Sequence, residues 1–565
     1  MINDDFSKFD VLVLIEKLKG DSLRIKWPVV AFIVALLTAA SFWRASESQS
    51  LHWDDDRFLA VIQAEGAPAV SGLYTVWTQF IEGDYIPIPL SSFWLEVHAF
   101  NVDAQQIHVD NVIIHLINIL VLLMCLVRWN VGSITAIFVT VCFAVHPLQV
   151  EPVFWLSDRK SLLNGTGILL SFYCYGRLVK TQGRTRIAYI LGYYFAFVFA
   201  CLCKATTVLT PFAVAGLEFF VSHKRSFKDH AYQIVPMAIA FGFGMVRMIA
   251  LAQHVGLESD FLLSAMRILI SFGSSLTAIG HYIWSFLWPV NLAPFYPSYE
   301  YFEGSQIYAA LGLATLVGWL AIARMRPNNS GLIVSLVAFL SFLLPVLPVF
   351  PRANFVNDRY MYLPIIGLSY LIAILLEEVV ANLRLTLNFK LAALSILGTT
   401  LAFGSERQSR IWRDDQTFWQ AAAAINPKSA LALNNLAMTQ RDQGHRSAAI
   451  SSLKAALKLP PDRTSPRGAL WMNLGDLYAE PKWADTYAPT MAMTHYSQGL
   501  AEADRPADRR QLLLRIGIIH THLGDNETAT ATLNQLINEM ERLPSPTKSD
   551  QELNSRAMEI RKLLQ

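Results

Sequence analysis

FKLAALSILGTTLAFGSERQSRIWRDDQTFWQAAAAINPKSALALNNLAMTQRDQG, residues 389–444, holds the transition on which the fold turns. Residues 389–405 form an apolar run of the kind that crosses a bilayer, and from Glu406 onward charged side chains crowd in. Past Leu433 the spacing changes again, to small and apolar residues paced for paired short helices. A membrane-embedded part hands over here to a water-soluble part.

The same division runs through the whole chain. Of its 565 residues 53% are hydrophobic and only 16% charged, with a mean hydropathy of +0.35; a soluble protein carries about 25% charged residues. Charges are sparse up to about Gly404 and dense from Glu406 to Gln565. The net charge of +2 gives no sign of a nucleic-acid partner, because the basic residues lie in short loops and not on one face. Cys125, Cys142, Cys174, Cys201 and Cys203 all sit in apolar runs, without metal-type spacing or a disulfide framework. Residues 1–26 read as a cytoplasmic segment with a short amphipathic stretch at 6–18, and not as a cleaved signal.

A helix needs roughly 20 apolar residues to cross the hydrocarbon core, because lipid offers its backbone no partner. That ruler gives runs near 27–43, 108–127, 131–145, 161–179, 187–203, 205–222 and 231–252. Further runs lie near 264–288, 306–323, 331–349, 360–378 and 389–405. Lys17, Lys19, Arg24 and Lys26 place the N-terminus in the cytoplasm. Arg128, then Arg177, Lys180, Arg184 and Arg186, then Lys224, Arg225 and Lys228 mark cytoplasmic loops, while Glu258 and Asp260 mark an outer one. If 264–288 crossed, Arg324 and Arg326 would fall outside; a broken or interfacial segment keeps them inside. The expectation is an all-α polytopic bundle of about 11 transmembrane helices over 27–408, with an outer loop 44–107. An extracytoplasmic domain, 409–565, follows. The hydrophilic segments 146–160, 289–305 and 350–359 gather on that same outer face.

In the tail Leu433, Leu436, Ala437, Gly444, Ala449, Leu453, Ala456 and Pro461 fall at the offsets of the 34-residue tetratricopeptide repeat (TPR). Trp471, Leu474, Gly475 and Tyr478 open a second repeat, which resumes at Ala492, Tyr496 and Gly499 after a five-residue insertion. Leu513, Ile516, Gly517, His520, Gly524, Ala529 and Leu533 mark a third, and Trp419, Ala422 and Pro427 a capping half-repeat. Such an α-solenoid serves as a spacer or oligomerisation surface, or presents a concave surface to a partner.

The outer loop opens with His52-Trp53-Asp54-Asp55-Asp56-Arg57. Carboxylates at a membrane surface can take the proton of an acceptor hydroxyl or ligate a divalent cation; a solvated acidic turn is the plain alternative. Tyr85-Ile86-Pro87 follows in the same loop. His108, Asn111, His115 and Asn118 share one helical face. Polar groups inside a span face an interior, either lining a site or bonding a neighbouring helix. The loop after the third run reads His146-Pro147, then Glu151-Pro152, Trp155, Asp158, Arg159 and Lys160. Arg159, Lys160, Lys204 and Arg359 are basic residues on the outer side, against the usual bias. A lipid phosphate or a carboxylate would explain them; snorkelling explains one of them better than four.

Taken in order, several segments resemble the transmembrane-and-TPR-containing family of O-mannosyltransferase-like proteins, multispanning glycosyltransferases of the GT-C class. They are Trp53-Asp54-Asp55, Tyr85 with Pro87, the His108-to-Asn118 helix, and the loop from His146 through Glu151 to Arg159. Lys204, Trp288-Pro289-Val290-Asn291-Leu292, Asp358-Arg359-Tyr360-Met361-Tyr362-Leu363-Pro364 and the repeats complete the series. The resemblance covers nearly the whole chain. It implies transfer of a sugar from a polyprenyl-phosphate or dolichyl-phosphate carrier to an acceptor, foremost a protein, on the extracytoplasmic face. It also implies Asp54 or Asp55 as general base. Tyr85, His108, His146, Glu151, Arg159, Lys204 and Arg359 would be substrate-binding, and the repeats would take a protein acceptor or partner. The family's Tyr-Arg-Pro reads Tyr85-Ile86-Pro87 here, which leaves the donor sugar open.

Direct displacement of the lipid phosphate would invert the anomeric centre. A divalent cation at the acidic cluster stays open, and no other cofactor is called for. Two other readings stand beside this one: an oligosaccharide ligase using a lipid-pyrophosphate donor, and a non-catalytic TPR scaffold in the membrane. The setting expected is a bacterial inner membrane with a periplasmic TPR domain, ahead of the ER membrane.

Overall fold

The computed structural model describes residues 26–55, 58, 69–78, 80, 85–100, 102–221, 232–255, 265–296, 304–326, 330–348, 355–461, 465–480, 488–543 and 546–564. Among these residues there are helices and no strands. The chain divides into two compact units, Met1–Pro294 with Glu303–Asp414, and Phe295–Phe302 with Asp415–Gln565.

In the first unit each apolar run contains a helix. They are Trp27–Phe42, Ala104–Arg128, Ser133–Val145, Arg159–Leu178, Arg184–Cys203 and Thr210–Val221. Ile234–Val255, Ala265–Leu287, Ser305–Met325, Ser330–Leu343, Pro364–Asn382 and Leu387–Ser409 complete the set. Their starts are chemically marked. Asp103 accepts the Gln106 N–H at 2.9 Å, and prolines occupy the first turns of Trp27–Phe42 and Pro364–Asn382, where no N–H is needed.

Large apolar side chains such as Phe32, Phe195, Phe241 and Phe403 are exposed, while Thr38, Asn111, His115, Asn118 and Asn164 are buried. That inversion belongs to a bundle solvated by lipid. Among the described residues six helices are long and apolar enough to cross a membrane, seven if Ser133–Val145 and Pro147–Phe154, bent by 49°, count as one span. The protein is a multi-pass membrane protein.

Two arrangements bear on topology. The segment 264–288, expected to be broken or interfacial, has no break: Ala265–Leu287 is one helix. Its polar residues Ser274, Thr277, His281 and Ser285 fall on one buried face instead of forming a kink. Ser274 donates to Pro348 O at 3.0 Å, Thr277 to Ser305 O at 3.1 Å and Tyr282 to Asn357 O at 3.2 Å. Gly280 lets this helix meet Ser305–Met325 backbone to backbone, since a Cβ there would stand 1.8 Å from Tyr308 O. Secondly, the C-terminal ends of the first and last helices lie together. Arg44 pairs with Glu406 at 2.8 Å, and Gln49 N–H donates to Arg413 O at 2.8 Å.

The second unit pairs helices Ala430–Asp442 with Arg446–Leu457, Arg467–Ala479 with Pro489–Ala501, and Pro506–His522 with Asn526–Glu541. The consensus residues are its core: Ala437, Ala449, Leu453, Ala456, Leu474, Ala492 and Tyr496 are buried together. Gly444 (φ 86°) and Gly524 (φ 79°) turn the chain in the left-handed region. Gly475 leaves room for Tyr496, whose ring a Cβ would meet at 2.4 Å. The insertion in the second repeat falls largely on 481–487, outside the described residues. Asp415–Ile425 opens the array with Phe418 and Trp419 buried, and Lys548–Leu564, which the repeat spacing did not announce, closes it with Leu553 and Ala557.

Candidate active site

The acidic turn follows the short helical turn Trp43–Glu47. Its two described carboxylates, Asp54 and Asp55, have different surroundings. Asp55 is fully buried; one oxygen accepts the Leu51 N–H at 2.9 Å, the other the Ser157 N–H at 3.0 Å and the Ser157 hydroxyl. Burial pushes its carboxyl up to about 6, against the pull of those bonds, with a small addition from Asp54. Asp54 is only half-buried. Asp56 and Arg57 lie outside the described residues.

The facing wall is built from short turns, Pro147–Gln149, Val150–Phe154 and Leu156–Asp158, leading into Arg159–Leu178. Pro147 and Pro152 keep those turns short. Asp158 accepts from Ser161 Oγ at 2.8 Å and lies 3.8 Å from Lys204 Nζ, which donates to Ser161 Oγ at 2.6 Å. Lys204 sits at the break between Arg184–Cys203 and Ala205–Leu209. Asn164 holds that break by donating to Ala200 O at 2.9 Å and to Thr207 Oγ1. Arg359 pairs with Glu151, whose other oxygen accepts the Arg359 N–H at 2.9 Å. Its guanidinium lies 4.6 Å over Trp155 and 5.2 Å from the Tyr360 ring.

Lys160 joins the two walls, lying in electrostatic range of Asp158, Arg359, Asp54 and Tyr360. An open groove lies beside Lys204 and Arg359. Ser161, Asn164, Lys204, Thr206, Arg359 and Tyr360 form its polar side, Ile168, Phe342, Val346 and Leu363 its apolar side. Cations fixed by carboxylates beside apolar side chains can hold a phosphate with a hydrocarbon tail.

Of the residues expected to bind substrate, Lys204 and Arg359 line the groove, and Glu151 orients Arg359. Arg159 does not line it. The Arg159 side chain is fully buried, bonded to Asn111 Oδ1 at 2.7 Å, Glu96 at 2.5 Å and Ile107 O at 3.0 Å, over the Phe93 ring. His146 is a turn residue: it accepts the Leu148 N–H at 3.2 Å, contacts Phe286 O at 2.9 Å and stacks on that ring. His108 contacts Gln49 O at 3.2 Å, and Tyr85 donates to Trp77 O at 3.0 Å. His115 and Asn118 meet the Tyr362 hydroxyl at 3.0 and 2.8 Å, so this polar face bonds helices together.

Sequence reasoning left Ser157, Ser161 and Asn164 out of the site. The spacing of Lys160 and Ser161 from Asn164 was a usable signal, since residues three and four apart share a helix face. Among the described residues no group of three or more His, Cys, Asp or Glu side chains is placed to hold a metal.

A multi-pass helical unit with a charged groove, followed by TPR repeats, is the class that fold and site define. The tetratricopeptide repeat family matches residues 430–463. The chain is 30% identical over 149 residues to Protein O-mannosyl-transferase Tmtc2 of Drosophila melanogaster, covering 25% of this chain and 15% of that protein. It is 24% identical over 380 residues to Protein O-mannosyl-transferase Tmtc3 of the same organism, covering 58% and 41%. The chain thus spans less than half the length of these curated relatives. A solved structure, the APC/C hetero-tetramer Cut9-Hcn1, overlaps 87% of each chain at 12% identity, but its TM-score of 0.23 carries no argument. The chain is a TPR-containing relative of Tmtc2 and Tmtc3, in line with the order of its motifs.

Proposed function

We propose that this protein is a membrane glycosyltransferase that moves a sugar from a polyprenyl-phosphate carrier to a protein acceptor on the extracytoplasmic face. The observation that carries this is a groove with an apolar side lined by Lys204 and Arg359, with Lys160 nearby in the field of both Arg359 and Asp54. A scaffold has no use for cations held beside such a groove. Lys204 and Arg359, held by Asp158 and Glu151, offer donors to a single phosphate beside apolar side chains, which suits a monophosphate carrier.

Asp54, half-buried where Asp55 is fully enclosed, takes the proton of the acceptor hydroxyl. The hydroxyl oxygen attacks the anomeric carbon as the bond to the phosphate oxygen breaks on the opposite side, inverting that centre. Lys204 and Arg359 stabilise the charge that develops on the leaving phosphate. Ile168, Phe342 and Val346 take the first part of the tail.

The meeting of the C-terminal ends of Trp27–Phe42 and Leu387–Ser409 supports an odd number of crossings, and with the charge pattern we retain eleven. Helix Ala265–Leu287 then lies along the outer face, which its bonds to Pro348, Ser305 and Asn357 favour. Asp54 and the TPR unit share that face. The Drosophila relatives give the bacterial inner membrane no support, and we do not propose it.

The test is transfer by the purified protein in lipid nanodiscs, with polyprenyl-phosphate mannose and other polyprenyl-phosphate sugars offered with a panel of unglycosylated secreted proteins. The expected product carries the sugar with the anomeric configuration opposite to that of the donor. Retention would overturn the displacement, and absence of transfer from every monophosphate donor would favour the ligase or scaffold.

A further inference from the structure

We propose that Ser157 is a positioning residue for the transfer reaction, fixing through Asp55 the turn that carries Asp54 against the turn that carries Asp158 and Lys160. The inference rests on the reading of Asp54 as the base. Ser157 and Asp55 are 102 residues apart and both are buried, yet Ser157 gives one Asp55 oxygen both its N–H and its hydroxyl. The other oxygen receives the N–H of Leu51, closing the acidic turn on itself.

The neighbours of Ser157 in the chain make it more than a loop anchor. The next residue is Asp158, which accepts from Ser161 and draws Lys204 into the groove. Two residues further lies Lys160, in the field of Asp54. One carboxylate therefore connects the base to the phosphate-binding cations. A buried carboxylate costs stability unless fully bonded, and here both oxygens accept N–H groups, one from each turn.

The charged group acting on Asp55 from its own turn is Asp54, which disfavours ionisation; from the facing turn Asp158 and Lys160 stand nearest in sequence to Ser157. Among the described residues the Asp55 charge is held by hydrogen bonds and not by a cation. Removing the Ser157 hydroxyl should then make Asp55 harder to ionise.

The experiment measures kcat and KM for the polyprenyl-phosphate donor from pH 5 to 9, with thermal melting, for wild type, Ser157→Ala and Ser157→Thr in nanodiscs. Ser157→Ala should lose about threefold in kcat near pH 6.5, approaching tenfold toward pH 5, and move the acidic limb of the profile up by about one pH unit. It should recover toward wild type at pH 8, with donor KM changed less than about threefold. Ser157→Thr, which keeps the hydroxyl, should keep the limb. Should Ser157→Ala fail to fold, Ser157→Cys, a weaker donor, carries the same expectation. An unmoved limb, or an equal loss at every pH, overturns the positioning role. An inactive wild type overturns the transferase reading itself.

Discussion

Replacing Asp55 by Asn exchanges one acceptor oxygen for a donor facing the N–H of Leu51 or Ser157, while the same change at Asp54 disturbs no bond to Ser157. The two positions should respond to pH differently as well. The Asp55 carboxyl is raised from 3.8 to about 6, so the folded protein holds this proton more tightly than the unfolded chain does. Its ionisation therefore costs stability above about pH 6, by about 3 kcal/mol, and that cost disappears as pH falls toward 4. Catalysis should move the opposite way, because the ionised clasp holds Asp54. In melting measurements between pH 4.5 and 7.5, wild type should gain stability on acidification relative to Asp55→Asn while its transfer rate falls. Parallel changes in rate and stability would count against the clasp.

The two arginines separate in the same manner. Arg159→Ala leaves the partly buried Glu96 without its ion-pair partner and should destabilise the protein by about 2–3 kcal/mol without touching donor affinity. Arg359→Ala should instead weaken polyprenyl-phosphate binding by about 1.5–3 kcal/mol. Melting curves and donor titrations on both variants check this, and donor affinity lost in Arg159→Ala would return it to the groove. The sequence could not make that distinction. Arg159 and Lys160 are consecutive at the start of a helix, about 100° apart around its axis, so which one faces the groove depends on how that helix is packed.

At the scale of elements the apolar runs were legible because the bilayer sets both length and composition. The TPR helices were legible because small residues are required where two helices touch. For 264–288 the charge pattern pointed to a broken or interfacial segment; Ala265–Leu287 is unbroken, and its polar residues face protein across the Gly280 crossing. Gly280→Ala should therefore lower the melting temperature markedly, because the new methyl group would overlap Tyr308 O. Gly318→Ala, with nothing within 4 Å of the new Cβ, should leave it unchanged or raise it slightly. Equal effects in circular-dichroism or fluorescence melts would deny the close crossing.

For the whole molecule the account depends on Asp54 and the TPR unit sharing one side of the membrane. Single cysteines replacing Glu47 and Lys428 should react with an impermeant maleimide from the outer side, and one replacing Arg384 should not. Protection of position 428 would overturn the eleven-crossing topology. The candidate site was legible only in part for a related reason. Motifs far apart in the chain name groups able to do the chemistry, but helix packing decides which of them meet. Lys204 and Arg359 do, and His146 and Arg159 were drawn into turns and helix contacts. The central claim is that Asp54 takes the acceptor's proton for attack on a donor held by those two cations. Its most direct test compares wild type with Asp54→Asn in nanodiscs, following polyprenyl-phosphate sugar transfer and donor binding together. The account expects donor affinity within about twofold of wild type and transfer lowered by about 100-fold or more. Transfer by Asp54→Asn at the wild-type rate would contradict it.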